Sequence, residues 1–128
     1  MSDSKRPLLL YVEDEIFTQH LVESTLQDAG YEVWTASDGT EALERLASAG
    51  PTFRGLVTDV DLGDCPNGWQ VAREARTFLP ELPVVYVSGA SAHDWSAMGV
   101  PDSLIVPKPF SPGQIVAAMA FLFAKAAR

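Results

Sequence analysis

The stretch LVTDVDL, residues 56–62, decides how this chain is read. Leu56–Val60 is a short apolar run, too brief for a helix, and it carries two acids at its end, Asp59 and Asp61. An apolar run without polar alternation is the mark of a strand covered on both faces, the usual condition inside a parallel sheet. Carboxylates at the end of such a run mark the C-terminal edge of the sheet. Gly63, Pro66 and Gly68 then form a loop.

Working outward from this strand, the same alternation continues to both ends. Leu8–Val12 is an apolar strand, and residues 16–29 place Phe17, Leu21, Val22, Leu26 and Ala29 at helical spacing before Gly30. Tyr31–Ala36 is a strand around Val33. Ser37-Asp38-Gly39 then opens a helix with Ala42, Leu43, Leu46 and Ala47 inward, which Gly50-Pro51 stops. On the other side, residues 69–78 form a helix on Val71, Ala72, Ala75 and Leu79, and Pro83–Val87 is a strand ending at Ser88-Gly89. A short, weakly patterned helix follows around 92–98, then the strand Leu104–Val106 and Lys108-Pro109. Ser111-Pro112 supplies an N-cap and a proline at the first position of the last helix. Five strands alternating with five helices predict an α/β fold, a doubly wound five-stranded parallel sheet with two helices on one face and three on the other. In such a sheet ligands gather at the C-terminal strand ends.

The 128 residues suffice for one domain, expected to span 1–128 with a core of about 8–124 and no output domain. A formal charge of −8 without a Lys/Arg cluster argues against direct binding to nucleic acid or an anionic membrane. Cys65 is the lone cysteine, so no internal disulfide forms. It reads as an incidental loop thiol suited to a reducing cytoplasm. The N-terminus lacks an apolar signal core and no run reaches membrane-spanning length, which predicts a cytoplasmic protein.

The strand ends carry the chemistry. Strand one delivers Glu13 and Asp14, strand three Asp59, strand four Ser88 and strand five Lys108. Three carboxylates brought together repel, and a hard divalent cation relieves that repulsion. Mg²⁺ suits one or two carboxylates and keeps its other positions for water and phosphate oxygens, with Mn²⁺ as a possible substitute. A carboxylate can also act as a nucleophile and hold a phosphoryl group as an acyl phosphate. Lys108 and the Ser88 hydroxyl would then stabilise the charge on the phosphoryl oxygens.

The chain resembles the receiver domain of bacterial two-component response regulators, of the stand-alone type, from about Leu8 to Leu122. The matching pieces are YVEDE at 11–15, TDVDL at 58–62, YVSGAS at 86–91 and VPKPF at 106–110. The resemblance implies a flavodoxin-like receiver fold and a phosphoacceptor switch, not a turnover enzyme. In it Asp59 receives the phosphoryl group from a sensor histidine kinase or a histidine phosphotransfer protein. It implies Asp14, Asp59 and the backbone carbonyl of Asp61 as metal ligands, Glu13 acting through water, Ser88 as the switch hydroxyl, and a cis bond between Lys108 and Pro109. Signalling would pass to a downstream protein. Kinase docking would use Ile16, Phe17, Thr18, His20 and the loop after Lys108.

Three features depart from the family pattern. Ile105 stands where an aromatic residue usually sits three positions before the lysine, which puts the aromatic switch in doubt. The segment from Ser88 to Lys108 is short, with Gly99 and Pro101 breaking its helix. The loop VDLGDCPNG is one residue longer than usual. The Asp61 side chain adds a further expectation, that it orients water or adds charge and so alters the lifetime of the phosphorylated state.

Bland readings fit several other residues. His20 and His93 read as surface histidines, and Trp34, Trp69 and Trp95 as packing or partner-contact residues. The last helix is apolar at every position from Ile115 to Ala124. It is read either as a surface for a homodimer or a target protein, through some of Val116, Phe121 and Phe123, or as a helix with alanines at exposed positions. Rival functions are a haloacid-dehalogenase-type phosphohydrolase, suggested by Asp59-Val60-Asp61, a flavodoxin-like binding module, and a degenerate receiver serving as a scaffold. The first lacks acids downstream of Lys108, the second lacks a phosphate cradle, and the third is at odds with five site residues in place.

Overall fold

In a computed structural model, residues 6–63 and 66–126 are described; Cys65 lies outside them. The strands are β1 Leu8–Val12, β2 Glu32–Ala36, β3 Gly55–Asp59, β4 Val84–Ser88 and β5 Ser103–Pro107. The helices are α1 Ile16–Asp28, α2 Gly39–Ala49, α3 Gly68–Phe78, α4 Trp95–Met98 and α5 Pro112–Ala126. All strand pairs are parallel, in the order β2-β1-β3-β4-β5. The doubly wound α/β sheet expected from the sequence is therefore the fold, and the order reverses direction at β1 and β3. That switch point is where a crevice opens at the C-terminal strand ends.

Strand composition explains the layering. Along β1, Leu9 and Tyr11 pack with Val22, Leu26, Ile115 and Met119 of α1 and α5. Leu10 and Val12 pack with Ala42, Leu46, Val71 and Ala75 of α2 and α3 on the opposite face. Trp95 of α4 joins this second layer, which gives two helices on one face and three on the other. The central strands β3 and β4 are buried at every position, whereas the edge strands β2 and β5 are not.

Several inward assignments need correction. Phe17 and Leu21 face solvent, 82% and 57% exposed, and the buried stripe of α1 is Gln19, Val22 and Leu26. Glu15, not a Ser, Thr, Asp or Asn, caps the helix, accepting from the Thr18 and Phe17 amides, and Gln19 on the inward face donates to the Glu13 carbonyl at 2.9 Å. In α2, Ala47 is exposed and Ala49 packs in its place. The segment around 92–98 is a 3₁₀ turn, Ala92–Asp94, running into a single turn of α-helix.

The start of α3 is built for close approach to the site. Asn67 caps it through a reciprocal capping box with Gln70. A Cβ on Gly68 would stand 2.2 Å from the Asp59 carbonyl oxygen, so only glycine lets this helix begin so near β3.

Among the aromatic residues, Trp69 is buried and packs against Tyr86 with ring centroids 4.7 Å apart and the planes tilted by 59°, and Trp34 meets Phe53 edge-on at 5.6 Å. His20 and His93 are exposed. In α5, Ile115, Met119 and Leu122 are buried, and Val116 and Phe123 pack against them. Ala117, Ala120 and Ala124 occupy exposed positions, and Phe121 is 58% exposed.

Candidate functional site

Register brings the site together. Val12 lies opposite Thr58, Asp59 opposite Val87, and Ser88 opposite Pro107, so four neighbouring strands end nearly level. The residues that follow leave the sheet on one edge. There the carboxylates of Glu13, Asp14 and Asp59 each offer an oxygen within 4.8 Å of the others. Lys108 Nζ reaches the same place from β5 and donates to Asp59 Oδ2 at 3.0 Å. The Lys108–Pro109 bond is cis, as the resemblance implied.

Burial differs sharply among these groups. Asp59 and Glu13 are each 2% exposed and Ser88 is fully buried, whereas Asp14 is exposed. Each Asp59 oxygen has a protein donor, Oδ2 from Lys108 and Oδ1 from the Asp61 amide at 3.1 Å. A carboxylate oxygen carries two lone pairs, so each keeps one for an incoming group. Glu13 accepts from the Tyr11 hydroxyl at 3.3 Å and the Glu15 amide at 3.1 Å.

The electrostatics follow from that packing. Burial, reinforced by the charge of Asp59 and opposed by the Glu15 amide, pushes Glu13 up to about 7. Burial likewise raises Asp59 above its ordinary value, and Lys108 only partly offsets it. For Lys108, desolvation is outweighed by the hydrogen bond and charge of Asp59, and the ammonium is held above its usual range. Three clustered carboxylates, two of them enclosed, with a single ammonium leave an excess of negative charge at this edge of the sheet. The oxygen donor set, two buried acids and one exposed, fits a hard divalent cation such as Mg²⁺.

Asp61 stands differently from the other acids. Its carboxylate accepts from Ser88 Oγ at 3.2 Å and from Ser91 Oγ at 3.0 Å. Its backbone carbonyl accepts no hydrogen bond from the described residues.

Sequence reasoning passed over three supporting residues. Tyr11 lies two residues before Glu13 on the same side of β1, a spacing that could have pointed to it. Gln19 is buried and donates to the Glu13 carbonyl at 2.9 Å. Its place in line with Val22 and Leu26 is the signal of a polar residue turned inward. Ser91 closes the YVSGAS piece, but nothing in the sequence assigned it a contact, since that depends on how two loops meet. A separate cavity, lined by Arg76, Pro80, Glu81, Pro83, Asp102 and Lys125, opens before β4 and β5, at the other end of the sheet.

Comparison with known proteins supplies a context for this geometry. The family model for the response regulator receiver domain matches residues 9–120. The sensor kinase CckA of Brucella abortus (strain 2308) is 34% identical over 110 residues, covering 84% of this chain and 11% of that protein. The probable transcriptional regulator ycf27 of Cyanophora paradoxa is 32% identical over 111 residues, covering 85% of this chain and 45% of that protein. The chain thus spans less than half the length of these curated relatives. A crystal structure of a response regulator receiver protein from Sinorhizobium medicae WSM419 superposes with a TM-score of 0.88 at 42% identity, covering 93% of this chain and 95% of that one.

Proposed function

The chain belongs to the response regulator receiver family, and from that premise we propose that Asp59 accepts a phosphoryl group and that Lys108 and Ser88 stabilise it there. The observation that carries this reading is the buried Asp59 carboxylate, which Lys108 meets at 3.0 Å beside Glu13 and Asp14. Asp59 attacks phosphorus in line, an O–P bond forms, and the bond from phosphorus to the donor breaks. From a phosphohistidine the leaving group is imidazole, which takes its proton from solvent. Lys108 neutralises charge that develops on one phosphoryl oxygen, and the Ser88 hydroxyl donates to another. Asp14, Asp59 and the Asp61 carbonyl would hold Mg²⁺, or Mn²⁺ in its place, with Glu13 acting through water; the ion supplies charge neutralisation for the phosphoryl oxygens.

The phosphoryl donor would be a sensor histidine kinase or a histidine phosphotransfer protein. Ile16 and Phe17, 53% and 82% exposed at the start of α1 next to the acidic pair, suit docking of such a partner. Output then passes to a downstream protein as the phosphorylated domain shifts between two surface conformations. The phosphohydrolase reading is not favoured, because the family match accounts for the acids upstream of Asp59 and for Lys108 together.

Borohydride trapping tests the assignment at residue level. After incubation with Mg²⁺ and acetyl phosphate, reduction of an acyl phosphate turns the modified aspartate into homoserine. The peptide map is expected to carry homoserine at position 59 alone. Homoserine at position 14 or 61 with an unmodified Asp59 would contradict the assignment.

A further inference from the structure

We propose that the Asp61 carboxylate is a latch that holds the Ser88 hydroxyl and the loop after β4, and that a phosphoryl group on Asp59 takes the hydroxyl over and releases the loop. The proposal rests on the reading of Asp59 as the acceptor. One carboxylate bridges two loops: its Oδ2 accepts from Ser88 at 3.2 Å and its Oδ1 from Ser91 at 3.0 Å. The backbone amide of the same residue donates to Asp59 Oδ1 at 3.1 Å. Asp61 therefore touches the acceptor with its main chain and the hydroxyl with its side chain.

The Ser88 hydroxyl has one proton to donate. It can bond Asp61 or a phosphoryl oxygen, not both. A phosphoryl group brings about two negative charges to within reach of Asp61. Repulsion and loss of the Ser88 bond act together, and Asp61, already at the surface, is free to swing into water. The Ser91 anchor goes with it.

The segment released in this way has few other anchors. Past Ser91 lie a 3₁₀ turn and the four residues of α4, in which no residue is buried. Trp95 Nε1 donates to Ser103 Oγ at 2.9 Å, and the Val100 amide to the Tyr86 hydroxyl at 3.0 Å. Those contacts hold the far end; within Gly89–Asp94 the backbone bonds are local, and among the described residues the hydrogen bond that ties the segment to another part of the chain is that from Ser91 to Asp61. A readout by transfer of a hydrogen bond also needs no aromatic side chain at position 105, where this chain has a partly buried isoleucine.

Hydrogen exchange at amides 89–94 tests the latch, measured on the whole chain for wild type, Asp61→Ala and Ser91→Ala. Without phosphoryl donor, both variants are expected to exchange about tenfold faster than wild type there, since each removes a bond to a charged group. Mg²⁺ with beryllium fluoride, a phosphoryl mimic on carboxylates, should bring wild type to the rate of Asp61→Ala and leave that variant unchanged. Unaltered exchange in Asp61→Ala, with wild type still phosphorylated at Asp59, overturns the latch and leaves the acceptor reading standing. Slower exchange in wild type with beryllium fluoride overturns the handover of the hydroxyl. A wild type that binds neither beryllium fluoride nor a phosphoryl group overturns the acceptor reading and the handover with it.

Discussion

Burial acts against ionisation at Glu13 and Asp59. Both carboxylates are almost wholly enclosed, and both are held above their ordinary values mainly by desolvation. For Glu13 the folded value near 7 exceeds the ordinary 4.5, so between those limits the folded state binds more protons than the unfolded state. Stability of the metal-free protein therefore falls, through this residue, as pH rises from 4.5 to about 7, and is flat in this respect above 7. Glu13→Gln mimics the protonated form. It should stabilise the metal-free protein by roughly 2 kcal/mol at pH 8 and leave it unchanged at pH 4, measured by urea unfolding. Equal stability of variant and wild type at both pH values would contradict the burial argument. At this scale the positions of Glu13, Asp14, Asp59, Ser88 and Lys108 were legible, because each lies at or just past the end of a recognisable strand. The sequence was silent on the contact of Ser91, which depends on how a loop folds back, and it pointed to Gln19 only through the spacing with Val22 and Leu26.

Elements rather than single groups decide how near the helices come to the site. α3 starts against β3 because Gly68 has no side chain, and Asn67 closes its first turn. Gly68→Ala must move either α3 or the end of β3, since the added carbon would meet backbone at 2.2 Å. It is expected to cost about 2 kcal/mol or more in urea unfolding and to weaken Mg²⁺ binding. Asn67→Ala, which removes only the cap, should cost about 1 kcal/mol and leave Mg²⁺ affinity unchanged. If both variants lose stability and Mg²⁺ affinity equally, the close approach is not what positions Asp59. The inward faces of α1 and α2 were misread in part, and the reason is physical. Phe17, Leu21 and Ala47 are apolar, but the face a helix buries is set by the stripe that packs, and hydrophobicity alone does not report it. The expected α4 proved to be half 3₁₀, since a segment ended by Gly99 and Pro101 has no room for a second turn.

For the molecule as a whole, the five parallel strands and the two helix layers followed from apolar runs and their spacing, whereas the order β2-β1-β3-β4-β5 was not read from them. The sequence of the last helix supports two readings. Its three buried residues and the exposed alanines favour the plainer one, with Phe121 as the large apolar side chain that stands out from it. A dimer through α5 would need Phe121 at its centre, so Phe121→Ser should return any concentration-dependent dimer to monomer in sedimentation while leaving phosphorylation intact. A dimer that survives this change uses another face. The central claim concerns Asp59, and intact mass after incubation with acetyl phosphate tests it most directly, for wild type and Asp59→Asn, each with Mg²⁺ and with chelator. The account predicts one added phosphoryl group in wild type with Mg²⁺ and none in the other three samples. Equal gain in wild type and Asp59→Asn would contradict it.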